Sequence, residues 1–163
     1  MTHTKARCLI LACGNTLRGD DGAGPWLAEW AEQRFRSDSS VRILTSQQWA
    51  PELAEEIARA QSVLFIDSSI DSGAGAIKLR PVEPAASSEG FGTHHLGAAE
   101  LLGLGRELYG SCPSTALLLT IGAGSTELGE VFSEAVTAAL PEACRLIEET
   151  VLRLLADPLP GRR

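Results

Sequence analysis

Four short apolar runs, at 8–13, 41–44, 63–66 and 116–121, are separated by stretches whose apolar residues recur at helical spacing. That alternation constrains the fold more than any other feature. Continuous apolar runs bounded by glycine or aspartate suit strands buried on both faces. Helices are expected at about 25–35, where Leu27, Trp30, Ala31 and Phe35 share a face behind Pro25, and at 51–60, where Leu53, Ile57 and Ala60 do so. Two more are expected at 96–108 and at about 131–155. Residues 76–79 alternate and read as an edge strand, while 83–92 and 122–129 read as loops rich in small residues. Strands alternating with helices imply right-handed crossovers. The expected fold is α/β, a doubly wound, mostly parallel sheet of about five strands with helices on both faces, in three layers.

A chain of 163 residues, 44 % hydrophobic and 21 % charged, can bury a core of its own. One domain over 1–157 is expected, followed by a short tail at 158–163. The formal charge of −7, with Lys5 and Lys78 as the only lysines, argues against nucleic acid or an anionic membrane as partner. No window reaches the roughly 20 apolar residues of a membrane span. The opening MTHTKAR leads into an apolar run too brief for a signal sequence. Cys8, Cys13, Cys112 and Cys144 are scattered, without a C-x-x-C pair or metal-ligand spacing, and read as reduced thiols. A monomeric cytoplasmic protein is expected.

The first run is followed at once by Gly14-Asn15-Thr16-Leu17-Arg18-Gly19-Asp20-Asp21. Two glycines bracket four residues at a strand end, the spacing of a phosphate-cradling loop. Such a loop continues with Lys and then Ser or Thr. Here two carboxylates follow, which would repel a phosphate, so this turn suits a cation.

Ligands of an open parallel sheet bind outside the C-terminal ends of its strands. The first strand's exit carries Asp20 and Asp21, the third strand ends at Asp67, and Thr93-His94-His95 precede the helix at 96–108. Two acids and a histidine meeting there would make a site for a divalent ion such as Ni, Zn, Mn or Fe. Each residue also has a plainer role open to it. Asp20 and Asp21 can form the turn or cap the helix, Asp67 can cap a strand exit, and His94 or His95 can pack or cap. Trp26, Trp30 and Trp49 read as core or groove lining.

The segments GNTLRGDDGAGPWLAE, FIDSS and THHLGAAELL, in this order and spacing, resemble those of the nickel–iron hydrogenase maturation endopeptidases. The G-N-x-L-x-x-D-[DE]-x-x-G opening is the most specific of the three, and the resemblance extends from Leu9 to about Leu155. It implies a doubly wound α/β protease that removes a short C-terminal extension from the precursor of a hydrogenase large subunit once nickel is in place. The resemblance assigns Asp21, Asp67 and His94 to metal contact and catalysis, with His95 as the adjacent alternative and Asp20 shaping the turn. The Ni2+ is supplied by the precursor, so the free enzyme is expected to be metal-free or to bind a surrogate divalent cation.

Two segments depart from the family. Gln47-Gln48-Trp49 stands where many members have paired glycines, and Thr120-Ile121-Gly122-Ala123-Gly124 lacks a proline common after the last strand. Both border the expected cleft and suggest a subgroup adapted to a different hydrogenase. No Ser, Cys or Thr is set up with a base, which disfavours covalent catalysis. Two other readings compete. A phosphoryl-accepting receiver domain shares the acid placement but needs a lysine at the last strand's exit, and 122–126 has none. A metal-dependent phosphohydrolase needs cationic phosphate contacts, for which Arg18 is the one obvious candidate.

Overall fold

A computed structural model describes residues 6–86 and 96–157. Five strands form one sheet: β1 (Cys8–Cys13), β2 (Val41–Ser46), β3 (Ser62–Ser69), β4 (Ile77–Pro81) and β5 (Thr115–Gly122). Their order is β2-β1-β3-β5-β4. β1, β2, β3 and β5 run parallel, with Ile10 beside Ile43 and Leu64, and Leu64 beside Leu117. β4 alone is antiparallel, pairing Leu79 with Leu119 at the edge.

Four α-helices cover the faces: α1 (Ala23–Arg34), α2 (Leu53–Arg59), α3 (Ala98–Tyr109) and α4 (Glu134–Ala156). The period-two alternation of β1 assigns the layers. Cys8, Ile10 and Ala12 pack with Leu27 and Ala31 of α1 and Val136, Ala143 and Ile147 of α4. Leu9 and Leu11 point the other way, onto Ile57 of α2 and Leu101 and Leu102 of α3. Because β1 is buried on both faces, each of its large side chains leaves water completely, worth about 1.5–3 kcal/mol apiece. The expected three-layer α/β fold is the one found. No described helix is long and apolar enough to cross a membrane.

Several boundaries differ from the sequence reading by a few residues, and three of them bear on the site. α1 starts two residues before Pro25, because a single 3-10 turn at Gly19–Gly22 feeds directly into it, the Ala23 N–H donating to the Asp20 carbonyl. β3 does not stop at Asp67 but continues to Ser69, its end paired with Gly122 of β5. α4 begins at Glu134 rather than near Val131, since the Ser133 side chain caps it by accepting from the Val136 N–H. The expected loop at 83–92 lies outside the described residues from 87 onward.

Candidate functional site

The chain visits β1, then β2 on one side, then β3 on the other, so the strand order reverses between β1 and β3. In open α/β sheets the crevice at that reversal is where ligands bind. β1 ends there at Cys13, and Gly14 turns the chain away with φ +155°. A Cβ at Gly14 would sit 2.0 Å from the Asp21 carbonyl oxygen, so only glycine lets the turn close this tightly over the acids.

The glycine-rich turn spends one of its amides on its own carboxylate. The Asn15 N–H donates to Asp21 Oδ2 at 2.8 Å. From β3, the Ser68 hydroxyl donates to Asp21 Oδ1 at 2.8 Å, while the Ser68 N–H donates to Asp67 Oδ1 at 2.8 Å. One serine thus holds both acids, although they are 46 residues apart, Asp21 on the β1–α1 turn and Asp67 on β3. Asp67 continues the alternation of Val63 and Phe65 toward the α2–α3 layer, and Ser68 that of Leu64 and Ile66 toward α1.

Asp67 feels the charge of Asp21. The Asp67 pKa is pushed up to about 6, first by burial and then by the charge of Asp21, against the Ser68 amide and the Trp49 indole, which favour the anion. The Cys13 thiol is pushed up to about 12 by burial and by the charges of Asp67 and Asp21, opposed by the Trp49 backbone. A thiol so placed stays protonated and makes a poor nucleophile. Half-buried acids with no ion-pair partner among the described residues suit a positively charged ligand.

Asp20 has the opposite fate. It is fully buried, and its Oδ2 accepts from the Gly124 N–H at 2.7 Å, the Ser125 N–H at 3.0 Å and the Ser133 hydroxyl at 2.8 Å. Its Oδ1 accepts from the Ser133 N–H at 2.7 Å. Burial alone would raise its pKa, but the bonds from Ser133, Ser125 and Gly124 outweigh burial and hold the carboxyl below its usual range. Asp20 therefore pins the β5 exit to the β1 exit and is a structural residue, as its turn-shaping role implied.

Of the expected ligands, Asp21 and Asp67 are brought together, whereas His94 and His95 lie outside the described residues. Among the described residues, no three His, Cys, Asp or Glu side chains are grouped so as to hold a metal ion. Sequence reasoning passed over three neighbours of the acid pair. Ser68 lay inside FIDSS, directly after the acid singled out. Trp49, on the departing Gln47-Gln48-Trp49 segment, packs edge-on against Phe65 with ring centroids 5.5 Å apart and reaches Asp67. Cys13 was read only as a strand residue.

The receiver reading loses its footing in this topology. A receiver domain orders its strands 2-1-3-4-5, whereas here the fourth strand is antiparallel and outermost. Lys78 lies exposed on that edge strand, paired with Thr120. Arg18 is exposed at a bridge to Gly129, and it makes no ion pair among the described residues.

No family model and no curated protein matches the chain. Solved structures do. The hydrogenase maturating endopeptidase HybD from E. coli is similar over 90 % of this chain and 93 % of its own, with a TM-score of 0.73 and 21 % identity. The [NiFe] hydrogenase maturation protease HycI from Thermococcus kodakarensis covers 92 % and 95 %, with a TM-score of 0.68 and 26 % identity. The hydrogenase 2 maturation peptidase from a Thaumarchaeota archaeon covers 89 % and 97 %, at 0.62 and 22 %. The fold is the one that the opening motif implied.

Proposed function

We infer that this chain, which has the fold and the opening motif of the hydrogenase maturation endopeptidases, is itself an endopeptidase acting on a hydrogenase large-subunit precursor. In this reading it removes a short C-terminal extension after nickel insertion, in the cytoplasm, as a monomer. The observation that carries it is the pairing of Asp21 and Asp67 by Ser68 at the strand-order reversal, with no cation among the described residues to balance them. Oxygen donors of this kind suit a borderline divalent ion completed by imidazole. His94, or His95 beside it, is proposed as that imidazole. In support, Leu96, the first described residue after the doublet, packs on the same cluster as Trp49 and Phe65, on the side of the sheet that Asp67 faces.

Nickel belongs to the client in this scheme: held by the precursor, it marks the completed substrate and supplies Lewis acidity near the scissile bond. The chain's own residues orient and bind. Ser68 fixes the rotamers of both acids, Asn15 and Gly14 close the turn that presents Asp21, and Trp49 shields Asp67 from water. Cys13 stays protonated, and hydrolysis by water is the proposed route.

Processing of a nickel-loaded precursor, followed by intact mass, tests the scheme. Asp21→Asn and Asp67→Asn should each lower cleavage at least about a hundredfold while the far-UV spectrum is unchanged. His94→Ala against His95→Ala assigns the third donor. Equal cleavage of precursor lacking nickel would refute recognition of the metal.

A further inference from the structure

Beside the acid pair, the molecule leaves apolar surface uncovered. The turn at 15–19 is zipped to the loop before α4, Gly19 N–H to Gly129 O at 2.7 Å and Gly129 N–H to Leu17 O at 2.9 Å. This double lip carries Leu17, Leu128 and Val131, the last two 80 % and 84 % exposed. Behind it lies a groove of about 330 Å³, lined by Pro25, Trp26, Phe132 and Gly22, with Thr16 at its margin. A Cβ on Gly22 would meet the Thr16 Cα at 3.1 Å and the Phe132 ring at 3.5 Å, so glycine lets the turn lie against Phe132. Large apolar side chains left exposed beside a groove are a candidate contact site.

The charges around it are mostly negative. Glu29 and Glu130 line the groove itself. Glu127 stands exposed on the same loop and Glu134 at the start of α4, and Arg18 is a cation on the lip. Neither groove glutamate has an ion-pair partner among the described residues. We propose that this groove binds an extended client segment in which apolar side chains alternate with lysine or arginine: the apolar groups cover Trp26 and Phe132, and the basic groups meet Glu29 and Glu130. Gly22 adjoins Asp21, so the segment lies next to the acid pair and holds the client in register with it. That the segment belongs to a hydrogenase precursor rests on the function proposed above; its chemistry does not.

Two measurements on the full chain separate the claims. Nitrogen-15 spectra resolve the three tryptophan indoles, with Trp26 assigned by W26F. The capped peptide Leu-Arg-Ile-Lys should shift the Trp26 indole saturably. E29Q/E130Q should weaken that binding roughly fivefold or more, and added salt should weaken it too. An unmoved indole, equal binding of Leu-Glu-Ile-Asp, or a Trp26 signal that shifts with protein concentration alone, the mark of a second copy in the groove, overturns the proposal. With nickel-loaded precursor, E29Q/E130Q should raise KM with little change in kcat. An unchanged KM overturns the groove and spares the protease reading; peptide binding without any cleavage by the wild type does the reverse.

Discussion

Asp20 and Asp21 are consecutive, chemically identical, and put to opposite uses. The Asp20 carboxylate is saturated by Gly124, Ser125 and Ser133, while Asp21 shares Ser68 with a second acid. Asp20, with its pKa held low, contributes stability that is present above the usual carboxylate range and is lost as pH falls through its folded value. Asp67 works in the other sense. With a folded pKa of about 6 against an ordinary 3.8, it stays protonated in the native state while the unfolded chain ionises. Stability therefore drains away as pH climbs from about 4 to about 6 and levels off above, a loss of at most about 3 kcal/mol. Asp67→Asn should raise the unfolding free energy at pH 7.5 and leave it nearly unchanged at pH 3.5, as measured by denaturant titration. A variant less stable than wild type at pH 7.5 would refute that account. Ser68→Ala should keep the fold but lower precursor processing about tenfold, because Asp21 loses the hydroxyl that orients it while the residue-68 N–H still holds Asp67.

At the scale of elements, the boundary that moved furthest explains what could be read in advance. Apolar runs and helical spacing are local signals, and they located all five strands and four α-helices. The start of α4 is not a local matter: Ser133 caps the helix and also donates twice to Asp20, 113 residues away. Nothing in the pattern around Val131 reveals that partner. The continuation of β3 past Asp67 likewise depends on β5, and the pairing of Asp21 with Ser68 on chain reversal between β1 and β3. Asp21 and Asp67 were legible because strand exits are where such folds place chemistry; Ser68 and Trp49 were not, because each matters only through a neighbour. The tie between the turn and α4 can be measured by a double-mutant cycle. Ser133→Ala should cost about 1 kcal/mol as a lost cap, and Asp20→Ala about 3 kcal/mol or more, since it strands buried donors. The pair should fall short of the sum by about 1 kcal/mol or more.

Over the whole molecule, the four cysteines report on how the layers open. Cys8 and Cys13 are buried at the two ends of β1, whereas Cys112 and Cys144 are half-buried. Burial, together with the Asp38 charge and against the Ser62 hydroxyl, pushes the Cys8 thiol up to about 11. A thiol reagent followed by intact mass should modify two groups quickly and the other two only at the rate of global unfolding; four groups reacting at one rate would contradict a sheet core closed on both faces. Trp49 reports locally. Its indole rests against Phe65 beside Asp67, on the opposite side of the sheet from Trp30, which lies on α1. The cleft thus carries its own lamp. A cation settling between the two acids should change the emission of that ring above the steady light of Trp26 and Trp30, so occupancy is expected to be readable in an unlabelled protein, in real time, without waiting for a bond to break.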